Sequence, residues 1–234
     1  MSELLPRILA PTDETLGVVV QDPVQPLVSV MRRSAGGRLG VIAQSQTRMI
    51  FQILATILRA VWIIIEVPYL RRFKVRPRKD WDRRSGQSWD FANAIEPIGM
   101  ILGFAKIGNI QTGNSFIAPL GLSLLAAGVA IRWTAIYTLG KYFTSTVVIR
   151  DDHRLIRAGL YKHLRHPAYT GALVAHLGLG LSFSNWFSLA LSFVPYLVAA
   201  GYRIHVEEQA LNEAFGEEYL DYSRTTKRLI PKLY

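Results

Sequence analysis

Five apolar runs constrain this chain more than any other feature of its sequence. They cover residues 49–70, 91–108, 115–140, 169–182 and 186–204. A helix needs about 20 predominantly apolar residues to cross a bilayer, and the longer runs reach that length. We therefore predict an all-α, polytopic integral membrane protein with about five transmembrane helices.

The composition excludes several other classes of protein. Half of the 234 residues are hydrophobic, yet 27 Lys and Arg outnumber 17 Asp and Glu, which gives a net charge of +10. The many aromatic and aliphatic residues exclude a disordered chain. Because Cys is absent, disulfides and Cys-ligated metal centres are excluded, and the scattered His residues predict no metal site. We expect membrane lipids as partners and no nucleic acid.

The basic residues are concentrated in two of the connections between the runs. Eight lie in residues 71–84 and six in residues 141–165, whereas the turns at 109–114 and 183–185 hold none. Basic loops of membrane proteins remain on the cytoplasmic side. We therefore expect both basic loops, and a site built from them, to face the cytoplasm, in a bacterial inner membrane or in the endoplasmic reticulum.

Residues 1–48 are rich in Pro and Gly and lack a long apolar run. This composition predicts a flexible N-terminal tail before a membrane domain over 49–234. Five spans place the tail outside the cytoplasm, whereas a re-entrant first run keeps it inside. The tail is not a signal peptide, since no basic start is followed by an apolar core.

Charged side chains interrupt the apolar runs. Arg59 and Glu66 lie on roughly one helix face. They either face other helices or snorkel to the membrane surface, or they form a polar site inside the bundle. Glu96 and Arg132 fall in the same membrane half, on two helices joined by a short turn. Because a lone charge is costly in a bilayer, we expect both to face the bundle interior, where they can pair. We expect His176 to be a packed core residue.

The fourth run also carries small residues at helical spacing, namely Gly171, Ala175, Gly178 and Gly180. Small residues let helices approach closely in lipid. The pair Gly178 and Gly180 lacks the preceding strand and the third glycine of a dinucleotide-binding loop, so helix packing is the better interpretation.

Residues 153–171 are too rich in His, Arg and Tyr for a plain connection. Pro167 suits the first position of a helix and biases His166 toward an extended backbone. The N–H groups of Ala168 and Tyr169 then lie at a helix N-terminus, which attracts anions. Arg165 and His166 add donors beside it, and this end is therefore predicted to bind a carboxylate or a phosphate.

A second polar cluster follows the fifth run. Arg203 and Glu207 are four residues apart and share a helix face, as an ordinary surface pair also does. Because both clusters lie at the same membrane face, together they can hold a zwitterionic ligand. Beyond residue 205 the pattern is amphipathic, which predicts a C-terminal cytosolic or interfacial helix that Gly216 can interrupt.

Taken together, the segments 159–171, 203–208 and 215–231 resemble the isoprenylcysteine carboxyl methyltransferase family, whose core the phospholipid methyltransferases share. The resemblance implies an integral membrane enzyme that transfers a methyl group from S-adenosylmethionine to the carboxylate of an isoprenylcysteine-like or other lipidic acceptor. It covers residues 138–231 in detail, and it implies a cofactor-binding core over 141–231. The long N-terminal tail has no counterpart in the family core.

Position by position, the resemblance assigns roles to individual residues. The implied cofactor contacts are His153, Arg154, Leu155, Ile156, Tyr161, His166, Pro167, Ala168, Tyr169 and Glu207. Arg203 matches the arginine that holds the substrate carboxylate. Glu208 is the second catalytic candidate, since Glu208 or His205 can assist proton loss if the acceptor is a phospholipid amine.

Two other classes of protein remain open. Membrane sterol or steroid reductases that use NADPH contain a similar Arg-His-Pro motif, but their usual extended C-terminal pattern is absent here. A non-enzymatic membrane scaffold or carrier can retain the same fold. That alternative predicts tolerance of substitutions at Tyr169 and Glu207.

Overall fold

A computed structural model describes residues 24–72, 85–110, 116–144, 146–149 and 152–230. For residues 24–43 it describes the backbone alone. The chain divides into two units, Met1–Ile42 and Ala43–Tyr234. Residues 73–84, which hold most of the first basic loop, lie outside the described residues, as do residues 1–23 of the predicted tail. The candidate site lies in the second unit.

The described residues form six α-helices. They are α1 (Val24–Arg71), α2 (Ser85–Phe104), α3 (Ile117–Leu139), α4 (Pro167–Ser182), α5 (Trp186–Phe215) and α6 (Glu217–Thr225). Short 3₁₀ turns at Gly140–Tyr142 and Gly159–Lys162 interrupt the connection between α3 and α4. The described residues contain isolated β-bridges but no strand. The prediction of an all-α fold is therefore confirmed for this part of the chain.

Each of the five apolar runs coincides with one helix, α1 to α5. In the part of the chain that the structure describes, three segments are long and apolar enough to cross a membrane: Gln44–Arg71, Ile117–Tyr142 and Trp186–Phe215. Large apolar side chains also point outward, and Ile64, Ile101 and Val198 each expose about two thirds of their surface. These features support a multi-pass membrane protein, while the membrane crossing of α2 and α4 stays a prediction.

The first helix begins earlier than its apolar run. α1 starts at Val24, so the backbone of residues 24–48 is helical rather than irregular. Pro26 falls in the first turn, where a missing N–H does not interrupt the ladder. Glycines at helix-interior positions lower helix stability without preventing a helix. The domain boundary predicted at residue 48 stays a prediction.

Close packing of α3 against α4 follows from glycines on both helices. A Cβ atom at Gly128 would collide with the backbone of Ala175, and one at Gly178 would collide with the backbone of Leu125. Gly121 and Gly171 make equivalent approaches. The small residues of the fourth run therefore serve helix packing, as predicted.

The charged residues of the apolar runs are buried, as expected, but their pairing differs from the prediction. Arg59 Nε lies 2.8 Å from Glu96 Oε1, and Arg132 Nε lies 2.9 Å from Glu66 Oε2. The predicted pairing of Glu96 with Arg132 is therefore wrong. α1 supplies the opposite charge to both residues, from positions two helical turns apart.

The amphipathic region after residue 205 is divided between two helices. α5 continues to Phe215, and Gly216 then adopts a φ of +50°, a conformation that glycine tolerates best. α6 follows and carries Glu217 and Glu218 in its first turn. A C-terminal helix is thus present, and its placement at a membrane surface stays a prediction.

Candidate functional site

A cavity of about 860 Å³ opens between the helices and the connection that joins α3 to α4. Its wall includes ten of the twelve residues predicted for the site. These are His153, Arg154, Leu155, Ile156, Tyr161, His166, Ala168, Tyr169, Arg203 and Glu207. Pro167 and Glu208 do not line it. Two separate parts of the sequence, residues 153–169 and 203–207, are therefore brought to one cavity, and the role of each residue stays a prediction.

A hydrogen-bonded chain joins α4 to α5 at the cavity wall. The Tyr169 hydroxyl donates to Glu207 Oε2 at 2.9 Å and accepts from Arg203 Nε at 3.0 Å. Arg203 is buried, and Glu207 is half-buried. Tyr169 thus sets the positions of the guanidinium and the carboxylate, which are four residues apart on α5.

Glu208 takes no part in the hydrogen bonds that join Tyr169, Arg203 and Glu207. Its Oε1 lies 3.0 Å from Arg165 Nε and 3.4 Å from His166 Nε2, and its Oε2 lies 2.7 Å from Arg228 Nη2. We call these four residues the Glu208 cluster. Consecutive helix residues point about 100° apart, so Glu207 reaches the cavity and Glu208 does not. This placement does not support the predicted catalytic role of Glu208.

The segment after α6 holds the connection before α4 in place. Arg165 N donates to Lys227 O at 2.7 Å, and His166 N donates to Arg228 O at 3.1 Å. The Thr170 hydroxyl donates to Leu229 O at 2.8 Å. The C-terminal motif noted in the sequence therefore includes a backbone brace for His166 and its neighbours.

Pro167 occupies the first position of α4, as predicted. The Tyr169 N–H, however, donates to His166 O at 3.1 Å and is not available to a ligand in this arrangement. Arg165 and His166, which were predicted as additional donors to an anion, both face Glu208. The helix end therefore differs from the predicted anion site, because the protein's own carboxylate takes up its side-chain donors.

Aromatic and aliphatic side chains form another part of the cavity wall. The rings of Tyr142 and His153 lie 5.0 Å apart with an interplanar angle of 30°. Leu155 and Ile156 follow on the same connection and are half-buried. Burial raises the pKa of Tyr161, so its hydroxyl stays protonated at neutral pH. This part of the wall suits a planar, uncharged ring system.

A further part of the wall, which includes Asn93, Glu96 and His176, was not predicted from the sequence as part of the site. Asn93 and Glu96 lie one turn apart on α2, and the Tyr196 hydroxyl donates to Asn93 Oδ1 at 2.6 Å. His176 is buried as predicted, but its Nε2 lies 3.1 Å from Glu96 Oε2 and its ring also lines the cavity. Polar residues one turn apart in an apolar run were the available signal.

Comparison with known proteins bears on the same part of the chain. Residues 120–213 match the isoprenylcysteine carboxyl methyltransferase (ICMT) family. The matched residues run from α3 to the last turn of α5, and they include all twelve predicted site residues. The resemblance that the motifs predict is therefore confirmed for this region.

Named relatives agree with the ICMT match. The chain is 34% identical over 119 residues to protein-S-isoprenylcysteine O-methyltransferase B of Arabidopsis thaliana, an alignment that covers 50% of this chain and 60% of the relative. It is 31% identical over 128 residues to protein-S-isoprenylcysteine O-methyltransferase of Saccharomyces cerevisiae, covering 54% of each chain. The match thus spans only about three fifths or less of these relatives.

A solved structure of a eukaryotic intramembrane Ras methyltransferase, ICMT, is also similar to this chain. The match has a TM-score of 0.49 at 22% sequence identity, and it covers 82% of this chain and 66% of that one.

Proposed function

We propose that this chain is an integral membrane methyltransferase that uses S-adenosylmethionine to methylate the carboxylate of an isoprenylcysteine-like or other lipidic acceptor. One observation carries the proposal. Ten residues from two separate polar clusters, 153–171 and 203–208, line a single cavity between the apolar helices. The ICMT match over residues 120–213 supports the same reaction class.

The residues present fit the cofactor. A cavity of about 860 Å³ is within the range of roughly 300–1,000 Å³ typical of small-molecule sites. Glu207 offers a carboxylate to the ammonium group of the methionine part. Leu155 and Ile156 offer apolar contacts to the adenine ring. When bound, S-adenosylmethionine supplies a methyl group that its positively charged sulfur has already activated.

Arg203 is proposed to hold the acceptor carboxylate. A guanidinium binds a carboxylate through a planar fork, and the hydrogen bond from Arg203 Nε to Tyr169 fixes the orientation of that plane. A carboxylate is already a nucleophile and needs no general base. The task of the protein is then to align the reactants and to exclude water.

Glu208 is proposed to position the site without touching the reacting atoms. Its carboxylate ties α5 to Arg165 before α4 and to Arg228 after α6. These contacts, together with the backbone bonds of residues 227 and 228, hold His166 at the cavity wall. We propose that the side of the molecule that carries the Glu208 cluster faces the cytoplasm.

The experiment that tests the proposal measures S-adenosylhomocysteine binding to the detergent-purified chain. We expect Glu207→Ala to abolish binding, since it removes the partner of the ammonium group. We expect Arg203→Ala to retain binding and to lose methyl transfer. An intact wild-type protein that binds no S-adenosylhomocysteine contradicts the proposed activity, and equal loss of binding in both variants contradicts the division of roles.

A further inference from the structure

The hydroxyl group of Tyr219 is a buried polar atom in the cavity wall. Tyr219 lies in the first turns of α6 and is 4% exposed. Among the described residues, no donor or acceptor forms a hydrogen bond with its Oη. Burying a hydroxyl without a hydrogen bond is unfavourable, so buried hydroxyls are almost always satisfied. Because Tyr219 lines the cavity, a bound ligand is a candidate for the partner that its hydroxyl lacks.

Tyr222 provides the contrast on the same helix. It lines the same cavity, and its ring lies 6.2 Å from that of Tyr219. The Tyr222 hydroxyl, however, donates to Tyr161 O at 2.7 Å. Burial raises the pKa of Tyr222 to about 12, so this donor stays protonated. Of these two tyrosine hydroxyls, only that of Tyr222 has a hydrogen-bond partner among the described residues.

The charged groups near Tyr219 indicate which chemical group its hydroxyl can bind. Burial raises the pKa of Tyr219, so its hydroxyl keeps its proton and can donate. Three charged groups, in order Glu208, Arg165 and Glu207, are near enough to contribute to the electrostatic potential at this hydroxyl. Glu207 attracts a cation, and the two arginines of the Glu208 cluster outnumber its one carboxylate. A ligand with an ammonium group beside a carboxylate matches the negative charge of Glu207 and the surplus positive charge of the Glu208 cluster.

We propose that Tyr219 is a ligand-binding residue whose hydroxyl donates a hydrogen bond to the α-carboxylate of the cofactor's methionine part. This inference rests on the proposed function. It assigns the recognition of the amino-acid end to two helices, since Glu207 of α5 takes the ammonium and Tyr219 of α6 takes the carboxylate. Residue 219 lies beyond the residues that match the ICMT family.

The test compares two ligands and two variants of the full chain in detergent. S-adenosylhomocysteine carries the amino-acid end, and 5′-methylthioadenosine lacks it. We expect Tyr219→Phe to weaken S-adenosylhomocysteine binding about tenfold, as the loss of one hydrogen bond to a charged group does. Its affinity for 5′-methylthioadenosine should change less than about twofold, since that ligand has no carboxylate.

Thermal unfolding without ligand provides a second readout. Tyr219→Phe removes a hydroxyl that has no described partner, so the unfolding temperature should stay equal to that of the wild type or rise. Tyr222→Phe leaves the carbonyl of Tyr161 without its donor, so the unfolding temperature should fall. Its ratio of affinities for the two ligands should stay that of the wild type.

Several results would overturn the inference. Tyr219→Phe that weakens neither ligand, or weakens both equally, excludes a contact with the carboxylate. A lowered unfolding temperature for Tyr219→Phe shows that the hydroxyl serves the protein itself. A wild-type chain that binds neither ligand removes the proposed function and this inference together, whereas normal wild-type binding with an unaffected variant removes this inference alone.

Discussion

The helical bundle and the Glu208 cluster both bury charge, but they balance it differently. In the bundle each arginine has one carboxylate, Arg59 with Glu96 and Arg132 with Glu66. In the Glu208 cluster a single carboxylate faces two arginines and a histidine. The bundle pairs therefore balance charge one to one, whereas in the cluster two arginines share one carboxylate. Charges of both groups line the cavity.

The two groups differ in how many partners each charge has. In the bundle each arginine relies on one carboxylate, whereas Glu208 contacts three side chains. The members of a buried ion pair depend on each other, because removing one leaves an uncompensated buried charge. The cluster lies next to a half-exposed connection and holds three chain segments together. Removing one partner should therefore destabilise the bundle most, and should affect the cluster mainly through the position of the site.

The largest effect is expected from the bundle. Glu66→Gln leaves the Arg132 guanidinium buried without a counter-charge, and we expect a loss of about 3–5 kcal/mol in the free energy of unfolding. Chemical or thermal unfolding in detergent measures it. The double variant Glu66→Gln/Arg132→Met should recover much of the loss. A single variant as stable as the wild type would show that this pair does not hold the bundle.

The next effect tests the packing that surrounds the pairs. Gly178→Ala places a methyl group against the backbone of Leu125, and we expect it to cost about 1–3 kcal/mol. Gly201 is the matched control, since a Cβ there meets nothing within 4 Å. Gly201→Ala should leave the unfolding temperature unchanged or raise it. Equal behaviour of the two variants would contradict close α3–α4 contact.

Breaking the cluster should have a moderate effect on stability and a clear effect on the site. Glu208→Gln removes a charged acceptor from Arg165 and Arg228, and we expect a loss of about 1–2 kcal/mol. Binding of S-adenosylhomocysteine should weaken, because His166 is no longer held at the cavity wall. Calorimetry measures both. A catalytic role for Glu208 instead predicts normal binding with lost turnover.

The smallest effect on the free energy of unfolding is expected from an exposed ion pair. Arg224 Nη1 lies 2.8 Å from Asp221 Oδ1, but both side chains are about two thirds exposed. Arg224→Ala should change the free energy of unfolding by no more than about 1 kcal/mol, since water and salt screen such pairs. A larger loss, seen in the same unfolding assay, would mean that α6 depends on this contact.

The comparison also separates what the sequence could predict from what it could not. The apolar runs predicted five of the helices, since their hydrophobic residues are continuous along the chain. The motifs predicted Tyr169, Arg203 and Glu207 as neighbours. Tyr169 begins the fourth apolar run, and Arg203 and Glu207 lie where the fifth run ends. Placement on a shared membrane face follows from the order of the helices alone.

Pairing between helices could not be predicted in the same way. Glu96 was matched with Arg132 because both lie in one membrane half, but helix rotation brings each of them to α1 instead. The same limit applies to Glu207 and Glu208, which differ by one residue and face different surroundings. Tyr219 was passed over because an unsatisfied hydroxyl is visible only in three dimensions.

The most direct measurement of the central claim follows a methyl group. Membranes with the wild-type chain are incubated with S-adenosylmethionine labelled in its methyl group and with N-acetyl-S-farnesylcysteine as acceptor. We predict label in the acceptor that mild base releases as methanol, as a methyl ester does, and none with Arg203→Ala. Absence of transfer by a folded, cofactor-binding chain, or label found only in base-stable lipid amines, would contradict a carboxyl methyltransferase.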